Sequence, residues 1–457
     1  MVMQGTLKWA RYLVATACLI SCGLDDLNDL QEDGGIDSGA DSGTDTDSDT
    51  DGDGVAISVS AGGHHTCAVI DGGYMKCWGN QQYCELGYGY DPELPPTGFV
   101  SSLPSTLPFV DVGEEVAQIV AGGLHTCALL ASGGMKCWGS GSHHELGVPI
   151  PFESNGTIGC WDVPADYAAI VFGVAIMEAG AGDGHTCVLL EDGEVVCWGY
   201  GLHGELGYGT VGEGYDESNP AASAAVELGG SAVQISTGMD HTCAVIENGD
   251  VLCWGDNQWG QLGYGNIENV GDDEVPADVV PVDLDGPAVQ VSCGDYHTCA
   301  LLDSGEVMCW GLGDFGMLGY GDTNSIGDDE TPASIGPVDV GTPVEQITLG
   351  SHHTCALVEG GNVKCWGQGV GGQLGYGNPE NIGDDEVPTD VGFVDIGAQV
   401  MAIDSGQGHT CVLTTTGTVR CWGIDDSGQL GYGDLGPGVV YIGDDETPAD
   451  MGPVQLF

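Results

Sequence analysis

The chain has 457 residues, of which 69 are acidic and six basic, for a formal net charge of −63. An imbalance of this size argues against nucleic acid and anionic lipid as direct partners, since both are held through cationic contacts. The 19 cysteines imply an oxidising compartment if they are paired.

At the N-terminus, Lys8 and Arg11 precede a short apolar run, Tyr12 to Ile20, and the segment ends Leu19-Ile20-Ser21-Cys22. The run is too short to cross a bilayer as a permanent helix. Residues 1–22 look like a bacterial lipoprotein signal with Cys22 as the acylated new N-terminus; an ordinary cleaved secretion signal is the alternative, and either exports the chain. Gly23 after Cys22 points to the outer membrane, so the expected location is the bacterial cell envelope, with lipid on Cys22 as the membrane contact. Residues 23–54, including "DSGADSGTDTDSDTDGDG", carry too few apolar side chains to offset ordering entropy and read as a disordered acidic tether. Fully extended, they reach on the order of 100 Å. Within them Asp47 to Gly52 is similar to the start of an EF-hand loop, but Ser58 stands where the closing glutamate belongs.

From residue 55 to 457 one unit recurs. His-Thr-Cys begins at His65, His125, His185, His241, His297, His353 and His409. Each unit reads as short strands broken by glycine turns, such as "AVQVSCG", "TCALLD", "EVMCWG" and, after a long loop, "GPVDVG". No helical period persists. Four short antiparallel strands per unit, seven times, predict an all-β, seven-bladed β-propeller whose closure leaves few exposed edges. The repeated "H-T-C-A-L…C-W-G…G-Q-L-G-Y-G" resembles the regulator of chromosome condensation repeat family, here as an exported lipoprotein version. That resemblance specifies fold far better than function, because the family includes exchange factors, chromatin binders, ubiquitin-ligase appendages and secreted β-lactamase inhibitors.

Two cysteines ten positions apart recur in every unit: Cys67 with Cys77, Cys127 with Cys137, Cys187 with Cys197, Cys243 with Cys253, Cys299 with Cys309, Cys355 with Cys365 and Cys411 with Cys421. Each midpoint is the middle of a three-residue turn ending in glycine, from Gly73 to Gly417, and the pairing this turn dictates sets the cysteines opposite each other within disulfide range. Seven disulfides are expected, with buried thiol pairs or metal ligation as alternatives. Cys84 and Cys160 lie in loops of the first two units, where a bridge between them would leave Cys293 alone.

Units 4 to 7 carry "GDDE", giving Asp272, Asp273 and Glu274; Asp328, Asp329 and Glu330; Asp384, Asp385 and Glu386; and Asp444, Asp445 and Glu446. Carboxylates clustered on glycine turns suit calcium, while a solvated turn needs no ion. No cofactor is required otherwise. The four basic residues beyond Cys22, namely Lys76, Lys136, Lys364 and Arg420, all precede the second cysteine of their unit, and are expected to neutralise carboxylates while their stems cover apolar surface. A ligand-binding crescent is the other reading.

Seven histidines in identical context are expected to satisfy a backbone hydrogen bond in each blade, and the Cys-Trp-Gly tryptophans to pack blade on blade. His64, His352, His143 and His144 are expected at the surface. No nucleophile–base order, phosphate loop or H-E-x-x-H motif is recognisable, so an enzyme is not expected. The irregular loops of units 1 and 2 carry Tyr90, Phe99, Phe152, Trp161 and Tyr167, aromatic anchors of the kind found at protein interfaces. The resulting expectation is a monomeric scaffold binding a protein at the cell surface. The alternatives are a calcium-dependent glycan or matrix-binding module and, third, a propeller-based hydrolase or lyase.

Overall fold

Glycine at the third turn position lets the chain reverse tightly: Gly73, Gly133, Gly193, Gly249, Gly305, Gly361 and Gly417 all take φ between +74° and +87°, where a β-carbon would be strained. Each turn joins the second and third strands of a blade, as in His65–Ile70 with Tyr74–Asn80 and His297–Leu302 with Val307–Gly311. A computed structural model describes residues 54–90, 99–100, 102–150, 156–212, 219–435 and 440–457. Cys22, the acidic tether with its Asp47 to Gly52 segment, and Phe152 lie outside these, and of Phe99 only the backbone is described.

Residues 55–457 form one unit of seven consecutive antiparallel sheets, each beginning with an inner strand such as Ala56–Ala61 or Val400–Ser405. The strand register sets the two cysteines of each blade directly opposite each other. All seven disulfides expected from the spacing are formed. Cys67 is bonded to Cys77, Cys127 to Cys137, Cys187 to Cys197, Cys243 to Cys253, Cys299 to Cys309, Cys355 to Cys365 and Cys411 to Cys421, each with Cα atoms 4.1 Å apart. The alternatives of buried thiol pairs and metal ligation therefore fall away for these fourteen residues. Closing so small a loop contributes about 2–3 kcal/mol each in the chain-entropy view. Cys84 and Cys160 form an eighth bridge and Cys293 is a buried free thiol.

The fourth strand is smaller than predicted and lies elsewhere. It is a two-residue strand in blades 1, 2 and 7, at Phe99–Val100, Thr157–Ile158 and Tyr441–Ile442. In blades 4, 5 and 6 it is a single bridge at Val270, Ile326 and Ile382. The "GPVDV" segment adds single contacts, as where Val338 N–H donates to Val307 C=O at 2.8 Å. A side chain accounts for the rest of that edge. Tyr88, Tyr208, Tyr264 and Tyr376 of the G-Y-G motif place their hydroxyls against both N–H and C=O of the third-strand cysteine, namely Cys77, Cys197, Cys253 and Cys365. They satisfy backbone groups that a strand would otherwise cover.

Between blades the polar groups connect in a fixed order. The Trp138 indole N–H and the Thr126 hydroxyl both donate to Glu85 C=O, at 2.9 and 2.8 Å. The Thr126 oxygen therefore accepts from His65 Nε2, at 2.8 Å. This His–Thr bond recurs at all seven interfaces, always 2.8 or 2.9 Å. The histidines thus bond a hydroxyl of the next blade and not a backbone group of their own, because the second strand of the following blade presents the threonine side chain to the ring. The tryptophans are buried core as expected.

Nearer the axis, Gln234, Gln290 and Gln346 each hold both the N–H and the C=O of one residue on the next inner strand. Glu178 occupies the same place in blade 3 and accepts the Ile235 N–H, with a further hydrogen bond from the Gln234 side chain. At the closing interface, Asp404 accepts the Ala61 N–H at 2.9 Å.

Candidate binding face

Antiparallel order sends the turns between first and second strands, and the loops leaving the third strands, to the same end of the ring. The loop of blade 1 and the loop of blade 2 are joined there by Cys84–Cys160. Six residues beyond Cys84 and one beyond Cys160, Tyr90 and Trp161 stack with ring centroids 5.6 Å apart and planes 13° from parallel. They remain 62% and 64% exposed, so the rings touch each other while leaving broad apolar surface in water.

Tyr167 does not join them as a free anchor. It is half-buried against the core and its hydroxyl donates to the Asp162 carboxylate. Burial and that carboxylate push its phenol above the ordinary range. Of the five aromatic candidates, the structure brings together Tyr90 and Trp161.

The acidic turns are placed by their glycines. Gly271, Gly327 and Gly383 have φ of +96° to +100°, and a β-carbon there would strike the carbonyl of a loop glycine in the preceding blade, Gly204, Gly260 or Gly316. Turn geometry alone thus explains that glycine. The carboxylates that follow do converge: ligand atoms of Asp272, Asp273 and Glu274 lie within 4.8 Å of one another, as do those of Asp328, Asp329 and Glu330, and of Asp384, Asp385 and Glu386. Partial burial first, and the neighbouring aspartates second, push Glu274, Glu330, Glu386 and Glu446 up to about 7. For Glu446 those neighbours are Asp445 and Asp444.

The basic residues bond carbonyls and not carboxylates. Lys76 Nζ donates to Pro104 and Leu456 C=O, both at 2.9 Å, Lys136 to Val112, Lys364 to Pro388 and Val391, and Arg420 to Pro448. The direct bonds go to carbonyls because each slot faces the turn that ends the blade, while at Lys364 the Asp339 and Asp390 carboxylates also act on the ammonium as expected. Lys76 also lies 5.2 Å from the Phe109 ring centre and 5.7 Å from that of Phe457.

Where the seven inner strands converge there is a channel of about 200 Å³, lined mainly by glycine and small residues, with Asp183, Asp295 and Asp404 as its carboxylates. Burial pushes Asp295 and Asp404 up to about 6. Beside it, among the loops of blades 2 to 4, His143, Tyr200 and His203 form an edge-to-face series with centroids 5.0 and 5.9 Å apart. Sequence reasoning found His143 but missed His203, Glu205 and Asp240, which converge here. Aligning the seven loops position by position would have exposed them. Burial pushes Glu205 up to about 7, with Asp240 adding to the effect.

An RCC1-like domain model matches residues 153–455, and the regulator of chromosome condensation (RCC1) repeat model matches residues 56–83 and 116–145. The ultraviolet-B receptor UVR8 of Arabidopsis thaliana is 31% identical over 385 residues, covering 82% of this chain and 78% of that protein. The probable E3 ubiquitin-protein ligase HERC6 of Homo sapiens is 32% identical over 267 residues, 57% of this chain but 24% of that protein. The crystal structure of Prp20p from Saccharomyces cerevisiae superposes with a TM-score of 0.64 at 20% identity, covering 88% of this chain and 87% of that one. Repeat motif, blade architecture and similarity agree, and the chain belongs to the regulator of chromosome condensation (RCC1) repeat family.

Proposed function

We propose that this chain is an exported, lipid-anchored interaction scaffold of a bacterial cell envelope, held to the outer membrane through Cys22, that binds a protein through the irregular loops of blades 1 and 2. Interaction is the coarse role that propellers of this family serve; Prp20p, for one, is described with binding properties to Gsp1p and histones. The observation that carries the finer reading is the Tyr90–Trp161 stack, pinned by Cys84–Cys160 yet largely exposed. A disulfide-fixed aromatic pair loses little entropy on binding, which is what an interface anchor requires. The excess of 69 acidic over six basic residues favours a partner with a basic surface.

The test is capture from envelope extracts by the full chain and by its Y90A/W161A variant, each with millimolar calcium and with chelator. The expected result is one protein captured equally in both conditions and lost with the double substitution. Capture indifferent to Y90A/W161A overturns the reading. Capture of glycan only with calcium would transfer the function to the acidic turns, the second reading, which the convergence of three carboxylates in the turns of blades 4, 5 and 6 supports.

A further inference from the structure

The loop leaving the third strand of blade 3, Tyr200 to Leu206, meets the first turn of blade 4 at Asp240. There His203, Glu205 and Asp240 bring one ligand atom each within 4.8 Å of one another. Glu205 is fully buried. Its Oε2 accepts the His203 N–H at 2.7 Å and its backbone C=O accepts from Trp254 and Thr242. Its Oε1 is buried with no hydrogen-bond partner, and so is Nδ1 of His203. Leaving a buried carboxylate oxygen unpaired costs about 1–3 kcal/mol or more. A cation bound among these atoms would satisfy Glu205 Oε1 and His203 Nδ1 together with the Asp240 carboxylate.

The repeat supplies six internal comparisons. The same three positions hold Tyr83, Glu85 and Leu124 at the first interface, and His143, Glu145 and Gly184 at the second. They hold Trp259, Gln261 and Tyr296 at the fourth, and Phe315, Met317 and His352 at the fifth. The last two have Gly371, Gln373 and Gly408, then Ser427, Gln429 and His64. A histidine and two carboxylates coincide at one interface of seven. The third position does lie against the loop at other interfaces, as Phe315 and His352 meet at 5.5 Å.

We propose that His203, Glu205 and Asp240 form a binding site for a divalent first-row transition-metal ion, its remaining coordination completed by water. One imidazole with two carboxylates is a borderline N/O donor set that suits zinc, manganese or iron(II) better than calcium. Metal bonds of about 2.0–2.2 Å require the three atoms to close somewhat further, a side-chain adjustment for the partly exposed His203 and Asp240. The site goes beyond the interaction role and does not depend on Tyr90 or Trp161.

The experiment is calorimetric titration of the metal-stripped full chain with zinc chloride, repeated on E205Q, D240N and H203A. E205Q copies a residue three other blades carry: Gln261 accepts the Trp259 N–H just as Glu205 accepts that of His203, so the variant keeps the loop. Wild type is expected to show one tight equivalent that each substitution weakens at least tenfold, and cobalt(II) is expected to give visible d–d bands in wild type that E205Q abolishes. Absence of a tight equivalent, or an equivalent that survives E205Q and D240N unchanged, overturns the proposal.

Discussion

His409 in the last blade holds Thr66 in the first through a 2.8 Å bond between Nε2 and Oγ1, although 343 residues separate them. Thr66 also donates to the Gln429 carbonyl. Ring closure therefore uses the same side-chain chain as every interior interface. T66V removes the hydroxyl, leaves the buried His409 imidazole N–H unpaired and leaves the Gln429 carbonyl with the Trp78 indole N–H alone, so a loss of about 1–3 kcal/mol is expected. Urea denaturation checks it against T298V, the equivalent change at an interior interface. Equal losses would show closure to be one interface among seven; no loss in either would discount the His–Thr belt.

Stability should peak in mildly acidic solution. Burial pushes His65, His185, His241, His353 and His409 down from 6.5 to about 3 and His125 to about 4. Their contribution is complete above the unfolded value and is lost as pH falls from 6.5 toward 3. Glu85, Glu178 and the glutamates of the acidic turns move oppositely, from 4.5 up to about 7. Theirs is complete below 4.5 and is lost as pH rises through 7. Between roughly 4.5 and 6.5 the two sets oppose each other, so the urea midpoint is expected to be highest there, to fall steeply below, and to decline modestly toward 8. A midpoint still climbing at pH 8 would contradict this.

Glu178 isolates one of these groups. Its glutamine counterparts Gln234, Gln290 and Gln346 bond both an N–H and a C=O of the next strand, and a carboxylate lacks the donor. E178Q is expected to stabilise by about 1–2 kcal/mol at pH 8 and to change little at pH 5, where Glu178 is protonated. An equal effect at both pH values would show that its charge is not what costs stability.

What the sequence makes legible follows from how local each signal is. Cys299 and Cys309 are paired by a turn of three residues, so spacing alone fixes their register. The His–Thr belt is adjacent in the sequence but bonds outward, His65 to Thr126 in the next unit, and a triplet read within one unit suggests no such partner. The fourth strand is misplaced for a related reason: the tyrosine of G-Y-G looks like core, yet its hydroxyl terminates the sheet edge. His203, Glu205 and Asp240 meet across two units and stand out only when seven loops are compared. In the fifth loop, Met317 replaces the usual Glu or Gln, Phe315 takes φ +60°, and the Trp366 indole N–H is left without a partner.

Lys76 distinguishes carbonyl capping from charge neutralisation. Its ammonium holds Leu456 C=O at the chain terminus and Pro104 C=O in its own blade, and its stem is buried. Blade 5 shows that a methionine fits the slot, since Met308 is fully buried there. K76M keeps the volume, removes two charge-assisted bonds and frees the terminal segment from blade 1, so a loss of about 1.5–3 kcal/mol is expected. A carbonyl has no net charge to screen, so the difference between wild type and K76M should be the same at about 0.05 and about 0.5 M sodium chloride. Were Lys76 stabilising the fold by neutralising carboxylates, the difference would shrink as salt is added, and denaturation at the two ionic strengths separates the cases.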